Sequence, residues 1–303
     1  MLPPYAEEKI REALEEDLGF GDITSSLVVP EDIVAEAEVV AKEEGVLAGV
    51  EEASFVFKLL GCRVLKAMED GSPVGPGDVV LRVEGPARAL LAAERTALNF
   101  LMRMSGIATA TAELIRKARQ ANPKVRVAAT RKTAPGLRYF DKKAVELGGG
   151  DTHRLRLDDC VLIKDNHIAI VGSVAEAVRK AKQTVSFTKK VEVEVEKPED
   201  ALEAARAGAD IIMLDNFTVE DVVKALRMLE EAGLRSTVLI EASGRITADN
   251  VAQYAATGVD IISCGYLTHS ARALDFSMRI SRVRSPGSAR GEMAYPSRDP
   301  SLK

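Results

Sequence analysis

Tryptophan is absent from the 303-residue chain, and cysteine and histidine occur three times each. Cys62, Cys160 and Cys264 are odd in number, far apart and outside any CxxC pair. That argues against a disulfide framework or a zinc site and fits a reducing, cytoplasmic setting. No apolar run approaches the roughly 18 residues of a membrane span. The opening MLPPYAEEKI is acidic and amphipathic, unlike a signal or transit peptide. Asn and Gln are scarce beside abundant Glu, Lys and Arg, a thermophilic lean. Walker A, GxGxxG, HExxH and GxSxG patterns are all missing, so P-loop phosphoryl transfer, hydride transfer and serine hydrolysis have no motif.

What is present is a concentration of cations. Residues 128–167 hold His153, His167, Arg131, Lys132, Arg138, Arg154, Arg156, Lys164 and the triple glycine Gly148–Gly150. The formal net charge is −5 with 29% charged residues, so the basic stretch is local, which argues against a nucleic-acid coat. A charge run is ordinarily a solvated face. Here, however, Arg131, Lys132 and Lys164 stand where apolar runs end, and His153 and Arg154 follow a glycine-rich loop. Cations at the ends of buried strands imply an anion pocket.

The length favours two domains, or one large α/β barrel with an attachment. Ile10, Leu14 and Leu18 predict an amphipathic helix over 5–18, stopped at Gly19. Gly21–Ser25 reads as a turn, 34–41 as a half-buried strand, and VLAGV as its antiparallel return. A helix over 51–60, strands near 62–67 and 79–83, and a long helix from Pro86 through Ser105 follow. From 109 the pattern alternates: apolar runs at 125–130, 160–164, 190–195, 210–215, 237–241 and 259–264, with helical patterns at 141–147, 173–183, 198–207, 218–232 and 247–257. Ser173 and Thr218-x-x-Asp221 are helix-start signals. Short alternating units imply a parallel sheet, and purely apolar strands imply cover on both faces. The fold class expected is α/β, with an N-terminal α/β sandwich domain (1–108, to which 270–284 returns) and an incomplete, open TIM-like (β/α) barrel (109–269). A flexible tail is expected at 285–303.

In (β/α) barrels the chemistry gathers at the C-terminal ends of the strands. All six apolar runs end in polar or permissive residues: Thr130-Arg131-Lys132, Lys164-Asp165-Asn166, Glu194 and Glu196, Asp215-Asn216, Glu241 with Ser243-Gly244, and Gly265. One such ending is ordinary helix capping; six around one mouth are not. Carboxylates such as Glu194 and Asp215 suit Mg²⁺ shared with a phosphorylated ligand. Lys and Arg suit its anionic oxygens, and Ser243-Gly244 opening a helix suits a phosphate.

The ordered segments EEDLGFGDITS (15–25), ERTALNFLMRMSGIAT (94–109), TRKTAPGLR (130–138), GGGDTHRLRLDD (148–159), LIKDNH (162–167), VEVE (193–196), IMLDNF (212–217), EASG (241–244) and GVDIISCGYLTHS (258–270) resemble the quinolinate phosphoribosyltransferase family over about 5–284. The resemblance implies reaction of quinolinate with phosphoribosyl pyrophosphate to give nicotinate mononucleotide, pyrophosphate and CO₂, with Mg²⁺, in NAD biosynthesis. It implies quinolinate binding by Arg131, His153, Arg154 and Lys164, and by Arg95, similar to an arginine contributed across the family's homodimer interface. It implies that Lys132, Lys164, Glu194, Asp215, Ser243, Gly244, Gly265 and His269 meet the phosphoribosyl donor, with Lys132, Glu194 and Asp215 catalytic and Glu194 and Asp215 at the metal. His167 and Arg138 are expected to orient neighbours, Arg156 and Lys142–Lys143 to be solvated, and Cys264 to be inert core. Arg245 stands where a second glycine of the family's loop is expected. The alternatives weighed are a phosphoribosyltransferase for nicotinate or another acidic base, a non-catalytic phosphosugar-binding protein, and an aldolase-like barrel using Lys164.

Overall fold

The computed structural model describes residues 1–284 and 293–294, so the tail expected over 285–303 lies outside the described residues apart from Met293–Ala294. The chain divides into two compact units: Met1–Thr109 with the chain from Arg272 onward, and Ala110–Ala271. No described helix is long and apolar enough to cross a membrane.

In the first unit, helix α1 (Pro4–Leu18) begins with proline, whose missing N–H costs nothing at a helix start, and buries Ala6, Ile10 and Leu14. The expected turn at Gly21–Ser25 is instead the entry to a short helix, α2 (Ile23–Val28), because the Asp22 side chain accepts the Ser25 N–H at 3.0 Å. Strand β1 (Val34–Ala41) follows as expected. The VLAGV segment does not return along it. Gly45–Val46 (β2) pairs antiparallel with Pro73–Val74 (β4), and Val50 already opens helix α3 (Val50–Leu59). Strands β3 (Arg63–Ala67) and β5 (Val79–Pro86) join β1, and the returning β12 (Phe276–Arg284) and β13 (Met293–Ala294) complete an antiparallel sheet of order β13-β12-β1-β5-β3. Glu38 on β1 is almost buried, yet it receives Arg82 from β5 at 2.5 Å and Arg279 from β12 at 2.8 Å. Burial opposes its charge, but the two guanidinium groups prevail and hold its carboxyl below the usual range.

Helix α4 is one 35-residue element, Ala87–Ala121, rather than a helix ending at Ser105. Gly106, the first residue beyond that expected end, serves a close approach. A Cβ there would lie 2.1 Å from the main-chain oxygen of Arg272 on the returning segment. Glycine is required by packing, and the helix continues through it.

The second unit alternates β6 (Arg126–Ala128), α5 (Arg138–Leu147), β7 (Val161–Ile163), α6 (Asp165–Val171), α7 (Val174–Thr184), β8 (Val191–Val195), α8 (Pro198–Arg206), β9 (Ile211–Asp215), α9 (Val219–Glu231), β10 (Leu239–Ser243), α10 (Val251–Ala256), β11 (Ile261–Ser263) and α11 (Tyr266–His269). The strands form a parallel sheet of order β6-β11-β10-β9-β8-β7, open between its end strands β6 and β7. Asp151 makes an isolated parallel bridge to Ala128, so the glycine-rich segment adds a vestigial strand beside β6. Ser173 and Thr218 cap α7 and α9 through the Glu176 and Asp221 N–H groups, at 3.2 and 3.1 Å. Helices α6 and α11 follow the strand ends at Lys164 and Gly265, where the sequence pattern marked no helix.

Candidate active site

Strand residues alternate between the two faces of a sheet. On one face Val191, Val193, Val195, Ile212, Leu214, Ile240 and Ile262 are buried. The other is polar. Register sets Leu162 beside Glu192, Met213 between Glu194 and Glu241, and Ser243 between Asp215 and Ser263. Lys164, one step beyond β7, ion-pairs with Glu194. Ser263 Oγ donates to Ser243 Oγ at 3.0 Å. Lys164, Glu194, Asp215 and Ser243 are therefore brought onto one face at the C-terminal ends of their strands.

His153 reaches the same face. Its Nε2 lies 3.2 Å from Glu241 Oε2 and 3.5 Å from Glu192 Oε2, and both carboxylates are fully buried. Burial favours the neutral ring while the two carboxylates pull the imidazole pKa upward; with Nδ1 taken up by the main chain, Nε2 carries the ring proton toward them. The other ring nitrogen, Nδ1, accepts the Arg154 main-chain N–H at 2.8 Å. His153 takes a left-handed backbone, φ 51°, and its own N–H donates to Asp151 Oδ1 at 2.8 Å. Burial raises Glu192, with Glu241 adding to the shift and His153 opposing it. The donor atoms of His153, Glu192 and Glu241 lie within 4.8 Å of one another, a spacing that also suits a divalent cation.

Glu192 was not among the residues the sequence placed at the site, and Glu241, placed at a strand end, was given no partner or role there. The period of two in VEVEVE does put Glu192 on the face of Glu194, so a signal existed. Lys142 is a correction: expected in solvent, it is 1% exposed. Its ammonium donates to the main-chain oxygen of Thr152 and, at 3.4 Å, to that of Arg154. Burial lowers its pKa to about 8, with Arg138 the next contributor. Arg156 is exposed, as expected.

Arg131 is half-buried, and its Nε is buried without a hydrogen-bond partner. Such a donor calls for an acceptor from a ligand or water. Lys132 is exposed; its N–H bonds Thr130 Oγ1 at 3.1 Å and its carbonyl accepts from Thr268 Oγ1 at 2.8 Å. Gly265 sits against it, since a Cβ there would be 3.0 Å from Lys132 Cδ and 3.1 Å from His269 Nε2. His269 is exposed, with Nδ1 2.5 Å from Ser270 Oγ. Gly244 has φ +93°, and a Cβ would meet Asn216 Oδ1 at 2.3 Å; the Asn216 amide in turn donates to Asp215 Oδ2 at 2.7 Å. Arg245, in place of a glycine, is exposed and also left-handed at φ 51°.

Two expected supports behave as read. His167 Nδ1 accepts the Lys164 N–H at 2.9 Å, and Arg138 bonds Thr133 Oγ1 at 3.1 Å and the Leu155 carbonyl at 3.3 Å. Cys264 is buried, with its thiol pKa pushed up by that burial. Arg95 is exposed on the part of α4 that belongs to the first unit.

Comparison with known proteins matches this chain to the family model "Quinolinate phosphoribosyl transferase, N-terminal domain" over residues 22–105 and to "Quinolinate phosphoribosyl transferase, C-terminal domain" over 107–279. It is 51% identical over 275 residues to a "Probable nicotinate-nucleotide pyrophosphorylase [carboxylating]" of Methanothermobacter thermautotrophicus, covering 91% of this chain and 99% of the relative. It is 44% identical over 246 residues to the human "Nicotinate-nucleotide pyrophosphorylase [carboxylating]", covering 81% and 82%. Among solved structures, NadC from Streptococcus pyogenes superposes with a TM-score of 0.85 at 39% identity, covering 94% of this chain and 99% of that one.

Proposed function

The chain belongs to the quinolinate phosphoribosyltransferase family and is a nicotinate-nucleotide pyrophosphorylase (carboxylating), and we propose that it runs this reaction of NAD biosynthesis on the polar face of its open barrel. The observation that carries the placement is the joining of Lys164 to Glu194 on the face that also presents Asp215 and Ser243. Quinolinate brings two adjacent carboxylates. Arg131, with its unpartnered Nε, joins Arg154, Lys164 and the His153 loop to receive them through charge-assisted bonds. A monocarboxylate leaves one of these cations desolvated and unpaired, which is the basis of selectivity.

The phosphoribosyl donor lies along Lys132, Lys164, Glu194 and Asp215, with its 5′-phosphate toward Ser243, Gly244, Gly265 and His269. The pyridine nitrogen attacks C1 of the ribose as pyrophosphate departs, and positive charge develops on the sugar. Glu194 and Asp215 face that charge, and Lys132 and Lys164 face the departing anion. The pyridinium formed draws electrons from the neighbouring C–CO₂⁻ bond, CO₂ leaves, and a proton replaces it on the ring. Positioning and charge carry the reaction, and no covalent nucleophile takes part. The carboxylates of Glu194 and Asp215 are hard oxygen donors on adjacent strands and fit Mg²⁺, with Glu194 shared with Lys164. When bound, the ion neutralises charge on pyrophosphate.

The working unit is a homodimer in which Arg95 reaches the partner's site. Its exposure on α4 supports this, as do the exposed apolar side chains Phe20, Ile23, Leu27 and Val28 of the first unit. The three free cysteines fit a cytoplasmic setting. An end-point assay with phosphoribosyl pyrophosphate and Mg²⁺, following nucleotide and CO₂ from quinolinate and from nicotinate, tests the substrate. Mixing inactive Arg95→Ala and Arg131→Ala proteins tests the sharing: recovered activity supports it, and none removes it.

A further inference from the structure

The segment carrying His153 and Arg154 is gripped from two sides by ionisable groups that touch no bulk water. Lys142 on α5 places a buried ammonium against the carbonyls of Thr152 and Arg154. Across the sheet interior, the fully buried carboxylates of Glu192 on β8 and Glu241 on β10 face His153 Nε2. Between these holds the main chain bends through the left-handed residue His153, and the Arg154 N–H closes on the imidazole Nδ1.

Burying an ammonium and two carboxylates is costly, and apolar residues of the same size stabilise a core at least as well. Stability alone therefore does not account for these residues. Both ring nitrogens of His153 are engaged inside the protein. The contacts instead fix the path of residues 152–154, and with it the origin of the Arg154 side chain. Small errors there matter, because a misplacement of about 1 Å costs on the order of a hundredfold in a positioned reaction.

We propose that Lys142, opposed by Glu192 and Glu241 acting through His153, is a positioning residue that sets the quinolinate-binding loop at Arg154. This rests on the reading that Arg154 binds quinolinate, and the test separates the two.

The test measures kcat, KM for quinolinate, KM for phosphoribosyl pyrophosphate and Tm in the full chain carrying Lys142→Met, Lys142→Arg, Arg154→Ala and the Lys142→Met/Arg154→Ala pair. Lys142→Met is expected to raise the quinolinate KM on the order of tenfold to a hundredfold, with the phosphoribosyl pyrophosphate KM within about twofold. Lys142→Arg, which keeps charge and donors, is expected to recover most of the loss. In the Arg154→Ala background Lys142→Met should add little, since the two act as one unit. Equal rises in both KM values, or a lower Tm with both KM values unchanged, would overturn the proposal. So would additive losses in the double variant. An unchanged quinolinate KM in Arg154→Ala would instead overturn the underlying assignment. If Lys142→Met does not fold, Glu241→Gln carries the test from the opposite side. The same selective rise is expected from it, and an unchanged quinolinate KM would overturn the proposal.

Discussion

Gly244→Ala and Gly258→Ala form a matched pair in which backbone strain is held constant and steric crowding is not. Both glycines have φ +93°, but a Cβ at Gly258 meets nothing within 4 Å. At Gly244 the new carbon would lie 2.3 Å from Asn216 Oδ1, 2.7 Å from its Cγ and 2.9 Å from its main-chain N. The side chain can swing away; the main-chain nitrogen cannot. Left-handed alanine costs about 1–2 kcal/mol at either site. Overpacking adds about 1–3 kcal/mol at Gly244 alone. With roughly 2–4 °C of Tm per kcal/mol for a domain of this size, Gly244→Ala should melt roughly 2–12 °C below Gly258→Ala. Displacing Asn216 also releases the amide that holds Asp215, so Gly244→Ala should raise the KM for phosphoribosyl pyrophosphate while Gly258→Ala leaves it unchanged. Thermal melts and initial-rate kinetics on the two variants decide the matter. Equal melting points and equal KM values would refute the contact and the link to Asp215 together.

Three further outcomes are expected. Lys142 releases its proton near pH 8 in the folded chain and near 10.5 when unfolded. Across that window the unfolded state binds more protons, so wild-type stability should rise with pH relative to Lys142→Met in urea titrations at pH 8 and 10. Glu38→Gln weakens the hold of Arg82 and Arg279. Because those arginines are about half exposed, a loss of about 1–2 kcal/mol is expected by chemical denaturation. Gly106→Ala forces a carbon toward the Arg272 carbonyl and should cost about 1–3 kcal/mol, read as a lower Tm.

The alternation of strand and helix beyond residue 109 was legible because each buried strand is an apolar run and several helices carry a start signal, Ser173 and Thr218 among them. Helix limits were hidden where one residue served two readings. The helix read through Ser105 runs on through Gly106, a glycine that the approach of the Arg272 carbonyl explains. Asp22 looks like part of a turn until its carboxylate is seen capping α2. In the site, Lys164 and Glu194 could be read from strand ends because each follows or closes an apolar run. Glu192 and Lys142 could not, because a charged residue's burial depends on partners distant in sequence. His153 and Glu241 are 88 positions apart, and Lys142 is held by main-chain carbonyls that leave no trace in a pattern of side chains.

The strand that completes the first sheet has a consequence for how the protein is made. Glu38 on β1 and its partner Arg279 on β12 are separated by 241 positions. At about 5–20 residues per second of synthesis, β1 emerges roughly 12–50 s before the strand that will lie beside it. For that interval one edge of β1 is bare on the nascent chain, although all residues of the parallel sheet are synthesised within it. The charged Glu36 and Glu38 on that strand then have a second use as a deterrent to pairing with a neighbouring chain on the polysome.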